Sequence, residues 1–325
     1  MKNQLGQIKE WIDGHQAFAV LSHIRPDGDA YGTSIALALV LRALGKEVVV
    51  YNQDGLTRNY LFLPGKELVQ KTPATPPPES TGLIAVDTST LERLGATFTA
   101  WGRPPGLNID HHPGNPGYGT INLIDGDSPA SSQVVYELIE ALGLPCPPEA
   151  AFNLYIGLMT DTGSFRFRQT TARTFEVASA LVTRGADPAA AAQSCFQSSS
   201  AQRFQLQSEV LASSQFVLGN RVAYYRLTSE MYQRTGAQAD EVENFLELLQ
   251  AVSTIEVAFM LEEIAGGGTR VSLRSRGRVD VNAIAAKFGG GGHRLAAGIR
   301  STFPIDRLEA DLLREIEAAL QPFPV

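Results

Sequence analysis

The chain has 325 residues, 44% hydrophobic and 19% charged, a size at which one core usually gives way to two domains. Its formal net charge of −7 argues against a basic surface that grips a long nucleic acid along its backbone, and points to small ligands or to anions held at one local patch. The two cysteines, Cys146 and Cys195, imply no disulfide framework, no apolar run reaches the roughly 20 residues of a bilayer span, and the N-terminus lacks the apolar core of a signal peptide, so a cytoplasmic protein without a membrane partner is expected.

Residues 3–13 read as a short amphipathic helix, and AFAVLSH (17–23) as a buried strand. RPDGDAYG (25–32) has the composition of a loop. SIALALVLRALG (34–45) is an apolar helix, with Gly45 suited to its C-terminal cap. EVVVYNQ (47–53), LIAVDTS (83–89) and LNIDHH (107–112) read as further strands, the last two ending in polar residues. KTPATPPPEST is a Pro-rich loop and LERLG a short helix. Apolar strands alternating with helices predict a parallel sheet covered on both faces. SSQVVYELIEALG, EAAFNLYIGLM and ARTFEVASALVTRG then form three helices. After Gly185 the chain turns Ala-, Ser- and Gln-rich, which reads as a helical connector. RVAYYRLT (221–228) opens a second unit, followed by the helix DEVENFLELLQAV, strands EVAFMLEEI and RVSLRSRG, the helix VNAIAAKF, a GGGGH loop and a closing amphipathic helix, DRLEADLLREIEAAL.

The expected fold is therefore α/β. A larger domain (1–186) holds a mostly parallel sheet flanked by helices, a connector spans 187–215, and a smaller α+β domain covers 216–325, with the active site in the cleft between the two.

Four polar sets stand behind apolar segments. They are His23-x-x-x-Asp27-x-Asp29, then Asp87, then Asp110-His111-His112, then Asp161. A lone Asp at a strand end is usually a cap or a turn residue. Four such sets in succession are hard to obtain that way. Open parallel sheets bind ligands at the carboxyl ends of their strands, so three of the sets should converge there. Clustered carboxylates without positive partners are hard to keep ionised, and divalent cations relieve that penalty. Asp with His, without thiolate, suits Mn²⁺, or Mg²⁺ with less imidazole, better than a structural zinc. Six candidate ligands exceed the needs of one ion, and a two-metal site about 3.5–4 Å across would use them all.

These motifs, HIRPDGDAYG (23–32), VD at Asp87, DHH (110–112) and TDTG (160–163), resemble those of the DHH phosphoesterase superfamily, in order. SLRSRG and FGGGGHRLAAG resemble the DHH-associated domain of its bifunctional oligoribonuclease/pAp phosphatase (NrnA-type) subgroup. The resemblance implies two Mn²⁺ ions, with Mg²⁺ or Co²⁺ as substitutes. His23, Asp27 and Asp87 would hold one; Asp29, Asp87, His111 and Asp161 would hold the other. His112 would face the scissile phosphate, and Asp110 would orient a histidine. The implied reaction is in-line hydrolysis of short RNA to mononucleotides and of 3′-phosphoadenosine 5′-phosphate (pAp) to AMP.

Four consecutive glycines (289–292) offer bare backbone N–H groups and close approach, which suits a phosphate. Gly291, Gly292 and His293, with Arg274 behind an apolar strand pattern and Arg166 just beyond Asp161, are the candidate substrate contacts. Tyr31 and Phe165 are aromatic near the motifs, but core packing is the expected role of both. Cyclic or linear signalling dinucleotides (c-di-AMP, pApA, pGpG) are alternative substrates. Pyrophosphate is disfavoured because GGGGH stands where a Ser-Arg-Lys motif would be needed. A non-catalytic nucleotide-binding protein is disfavoured because all six ligands are kept. The sequence leaves the oligomeric state open, a homodimer included.

Overall fold

The computed structural model describes residues 2–242, 245–264 and 266–321, and divides into two compact units, 1–197 and 198–325. In the first, α1 (Lys2–Gly14) leads into β1 (Ala17–Leu21), α2 (Gly28–Ala43), β2 (Glu47–Asn52), β3 (Val69–Lys71), β4 (Thr81–Val86), α3 (Ala96–Thr99), β5 (Leu107–Asp110) and β6 (Ile121–Ile124). Helices α4 (Ser131–Leu142), α5 (Pro148–Asp161), α6 (Ala172–Thr183) and α7 (Pro188–Phe196) follow. The six strands form one sheet in the order β3-β2-β1-β4-β5-β6, with every pairing parallel. This is a doubly wound order, and it reverses direction between β1 and β4.

Both faces of this sheet are covered, so its central strands are apolar throughout rather than alternating. Phe18, Val20, Ile84, Val86, Leu107 and Ile109 pack with Ile8, Ile35, Val135, Leu154 and Leu181 of the helices on one side. Ala19, Leu21, Leu83 and Ala85 pack with Leu94 and Phe98 on the other. Tyr31 is fully buried, and its hydroxyl donates to the Gly55 carbonyl.

RPDGDAYG departs from its loop reading. Helix α2 begins at Gly28 because Asp27 caps it, with Asp27 Oδ1 accepting from the amides of Asp29 and Ala30 at 3.1 and 3.0 Å. The two glycines of that segment are packing residues. A Cβ on Gly28 would stand 2.4 Å from Thr160 Oγ1, and one on Gly32 2.4 Å from the Asn153 carbonyl oxygen. They let α2 lie close against α5.

The second unit holds α8 (Ala201–Ser213), β7 (Gln215–Val217), β8 (Val222–Leu227), α9 (Ser229–Thr235), α10 (Phe245–Gln250), β9 (Val257–Glu263) and β10 (Thr269–Ser275). It closes with α11 (Val281–Lys287), β11 (Gly291–His293), β12 (Ala296–Ser301) and α12 (Ile305–Leu320). Of the helix expected over 240–252, residues 243 and 244 lie outside the described residues. The six strands form a mixed sheet in the order β11-β12-β10-β9-β8-β7. One face is buried under α11 and α12 through Phe259, Val271, Leu273, Ile299, Leu308 and Leu312. On the other, Ala223, Tyr225, Ala258 and Met260 pack with Leu206, Val210, Phe245 and Leu249.

The GGGGH stretch also departs from its loop reading: its last three residues are strand β11, paired antiparallel to β12. A Cβ on Gly290 would stand 2.2 Å from the Gly298 carbonyl oxygen, and one on Gly292 2.5 Å from that of Ala296. Close strand contact, independent of any ligand, therefore demands glycine at both positions.

Candidate metal centre

At the switch point the chain leaves β1 and β4 in opposite directions, and polar side chains fill the gap. His23 lies two residues past β1, Asp87 immediately past β4, and Asp110 ends β5. Asp87 adopts the left-handed region (φ 50°), a conformation that short polar residues tolerate better than most. Asp29 lies in the first turn of α2 and Asp161 is the last residue of α5.

The six expected ligands fall into two groups, His23 with Asp27 and Asp87, and Asp29 with His111 and Asp161, in each of which the donor atoms lie within 4.8 Å of one another. Asp87, His111 and His112 form a third. Asp87 joins them. Its Oδ2 is 3.5 Å from His23 Nε2, and its Oδ1 is 3.4 Å from His111 Nε2 and accepts from Ser131 Oγ at 3.0 Å. His23 Nε2 also lies 3.6 Å from Asp27 Oδ2, and His111 Nε2 3.4 Å from Asp161 Oδ2. Asp27 thus serves twice, capping α2 with one oxygen and facing His23 with the other.

Asp110 is fully buried and both its oxygens are committed, Oδ1 to His112 Nδ1 at 2.8 Å and Oδ2 to Asn115 Nδ2 at 2.6 Å. It therefore points the imidazole of His112 rather than offering an oxygen to an ion. Asn115 also donates to the Thr88 carbonyl at 3.1 Å, tying the β5 loop to the end of β4.

Sequence reading missed Asn115, Thr33, Ser131, Ser132 and Gly157. Asp29 accepts from the backbone amides of Ser131 and Ser132, at 2.6 and 3.0 Å, and from Thr33 Oγ1 at 2.9 Å. Those amides open α4, where a helix N-terminus favours an anion. The only sequence signal for this was the Ser-Ser pair that begins a helix more than a hundred residues away. Gly157 of α5 makes room: a Cβ there would stand 2.4 Å from Asp29 Oδ1.

The electrostatics suit a divalent cation. Burial, then the charge of Asp87, pushes Asp29 up to about 7. Burial and the charges of Asp29 and Asp87 also raise Asp161 well above the usual carboxylate range. Burial alone would raise Asp87 too, but hydrogen bonds from His111 and His23 hold it far below that range. Burial opposes charge on His23 and His111, yet hydrogen bonds to Asp27 and Asp87, and to Asp87, lift each to about 10. Four carboxylates share two imidazolium counter-ions, an arrangement in which protons occupy positions a metal can take.

Ligation requires neutral imidazole, so if His23 and His111 hold a cation, its binding near pH 8 would displace their protons. Titrating Mn²⁺ into metal-free protein, in buffers of different ionisation enthalpy, should show release of about two protons, with affinity rising as pH rises toward 10. An apparent enthalpy independent of buffer would remove these histidines from the ligand set.

The remaining expected residues are not members of these three groups. Arg166 is exposed, and its Nε donates to the Gly163 carbonyl at 2.6 Å. Phe165 is half-buried and stacks on Phe175 with centroids 5.4 Å apart. In the second unit, register places His293 opposite Ala296, and Ala296 opposite Arg274, so all three share one sheet face. The next row is Gly291, Gly298 and Ser272. The result is a floor of small residues flanked by His293 and by Arg274, whose Nε lies 3.8 Å from Glu247 Oε1.

Residues 17–158 match the model of the DHH family, N-terminal domain, and residues 219–321 that of the DHHA1 domain. The chain is 35% identical over 280 residues to the bifunctional oligoribonuclease and PAP phosphatase NrnA of Thermus thermophilus, covering 86% of this chain and 82% of that protein. It is 30% identical over 304 residues to the protein of the same name from Bacillus subtilis, covering 89% and 91%. Among solved structures, an exopolyphosphatase-related protein from Bacteroides fragilis superposes with a TM-score of 0.89 at 22% identity, covering 99% of this chain and 97% of that one.

Proposed function

The chain belongs to the DHH family and carries a DHHA1 domain, and from that premise we propose a cytoplasmic, metal-dependent phosphoesterase that hydrolyses short oligoribonucleotides to mononucleotides and pAp to AMP. One observation carries the reading: six Asp and His side chains from four separate segments bring their donor atoms together at the switch point of the sheet. Each of the two 30–35% identical relatives bears both activities in its name.

In this reading His23, Asp27 and Asp87 would hold one cation, and Asp29, Asp87, His111 and Asp161 a second, with Mn²⁺ favoured by the Asp/His donor set over a thiolate-loving metal. When bound, the ions supply Lewis-acid charge at the phosphoryl oxygens and lower the pKa of a nearby water. The protein's own residues do the rest. Asp110 directs His112 with its Nδ1 engaged, leaving Nε2 for a phosphoryl or leaving-group oxygen. Ser131, Ser132 and Thr33 fix Asp29 so that its carboxylate does not have to reorganise. Arg274, Gly291, Gly292 and His293 would hold the remainder of the substrate, and Arg166 a further phosphate.

Turnover of RNA dimers to pentamers, pAp, cyclic-di-AMP and pyrophosphate with Mn²⁺ tests the proposal. Hydrolysis of the short RNAs and of pAp is expected. Exclusive turnover of cyclic-di-AMP or of pyrophosphate would replace the substrate assignment, and none at all would sink it. His293→Ala should raise the Michaelis constants for RNA dimer and pAp by about tenfold, as loss of a charge-assisted phosphate contact does, without altering Mn²⁺ affinity. Unchanged constants on both substrates would take His293 out of the binding surface.

A further inference from the structure

Building on the reading of His112 as the group that faces the phosphate, we propose that Asn108, inside β5, is a positioning residue. Through the amide of Asn115 and the carboxylate of Asp110 it sets the aim of the His112 ring. Asn108 and Asp110 stand two apart on β5 and so share one face of the sheet, while Leu107 and Ile109 join the helix-side core on the other. Asn122 of β6 is the register partner of Asn108. Asn115, in the loop beyond His112, spans the two β5 side chains. Its Oδ1 lies 3.2 Å from Asn108 Nδ2, and its Nδ2 lies 2.6 Å from Asp110 Oδ2.

The polarity of this chain of amides is fixed. Asn115 Oδ1 also accepts from the Gly117 amide, and Asn122 Oδ1 from the Gly119 amide, each at 2.9 Å. A backbone N–H can only donate, so both side chains turn an oxygen toward Asn108, and Asn108 must answer with Nδ2, at 3.2 and 3.3 Å. Asn115 is then saturated, because its Nδ2 donates to the Thr88 carbonyl at 3.1 Å as well as to Asp110. It can hold Asp110 only as a donor. With Oδ2 on Asn115 and Oδ1 on His112, the Asp110 carboxylate has no free rotation.

Asn108 does not serve the stability of the fold. It is fully buried, and its Oδ1 has no hydrogen-bond partner among the described residues, a burden that a leucine of similar shape would not carry. Leucine would also orphan nothing, since Asn115 Oδ1 and Asn122 Oδ1 would each keep a backbone donor. It would instead remove the β5 donor that holds the Asn115 amide and set methyl groups against Asn115 Oδ1. Stability and the aim of His112 should therefore respond differently to this one change.

The test compares wild type, Asn108→Leu and Asn115→Ala, each also in a His112→Ala background. The readouts are turnover of an RNA dinucleotide with Mn²⁺ and crystal structures of the metal-free proteins. Asn108→Leu should lower kcat by about tenfold, and Asn115→Ala by about a hundredfold, the loss that a misplacement of about 1 Å produces. Mn²⁺ affinity should stay at the wild-type value, and the melting temperature of Asn108→Leu should move by only a few degrees. Its crystal structure should show the Asn115–Asp110 hydrogen bond lost and the His112 ring turned. In the His112→Ala background both changes should cost less than about twofold, because a residue that acts through His112 has nothing left to act on. The same fold loss in both backgrounds overturns the proposal, since Asn108 would then only tie β5 to its loop. Wild-type kcat in Asn108→Leu overturns it too, as does an unchanged Asn115–Asp110–His112 arrangement. Should Asn108→Leu fail to fold, Asn115→Ala, at a half-buried position, decides by the same readouts. If wild type cleaves no nucleotide, the substrate assignment fails, and the crystal structures alone judge whether Asn108 sets the His112 ring.

Discussion

Asp87→Asn should lower the Mn²⁺-dependent turnover number on short RNA by on the order of a thousandfold, the equivalent of about 4 kcal/mol of transition-state stabilisation. Asp87 is the residue that joins the donor groups, with one oxygen toward His23 and the other toward His111. Asparagine keeps the shape and one oxygen but turns an amide, which has no lone pair to give a metal, toward one histidine. Asp110→Ala acts differently. It frees His112 to rotate and strands Asn115, but leaves all six donor side chains in place. Metal stoichiometry by elemental analysis of dialysed protein therefore separates the two variants. Asp87→Asn should lose bound Mn²⁺, whereas Asp110→Ala should keep it and lose rate. Full activity in Asp87→Asn, with far-UV circular dichroism matching wild type, would end the shared-ligand reading.

The clustering of Asp and His side chains was legible because the polar sets stand behind apolar segments whose ends could be seen. Strand β1 ends before His23, β4 before Asp87, and β5 at Asp110. The parallel sheet was legible for the same reason, since strands buried on both faces leave unbroken apolar runs. Strands β3 and β6 were not, being short and only partly buried, with no period to read. The start of α2 was misplaced because Pro-Asp-Gly-Asp is turn composition, and only tertiary packing of Gly28 and Gly32 against α5 extends the helix through it. The glycine run before His293 was read as ligand-binding backbone, yet two of its members are required by β12. Contacts that depend on long-range approach, such as Asp29 with the α4 amides, leave no local pattern at all.

Gly157→Ala is the sharpest test of that last class, because its expected effects on stability and on activity diverge. Alanine in place of glycine inside a helix contributes up to about 1 kcal/mol of stability by propensity. The added methyl, 2.4 Å from Asp29 Oδ1 and 2.9 Å from Ser132 Oγ, costs about 1–3 kcal/mol by overpacking. These largely offset, so the melting temperature should fall by only a few degrees. Asp29 cannot absorb the clash cheaply, since two amides of α4 and the Thr33 hydroxyl already fix its carboxylate. Either it rotates out of the donor group, or α2 and α5 separate and carry Asp29 and Asp161 apart. Displacement of about 1 Å suffices to reduce kcat/KM by about a hundredfold, and Mn²⁺ affinity should drop with it. Gly6→Ala is the control: it lies within α1 with nothing within 4 Å of the new methyl, and should add slight stability without touching activity. A Gly157→Ala protein with wild-type Mn²⁺ affinity and turnover would show that Asp29 holds no position the reaction depends on.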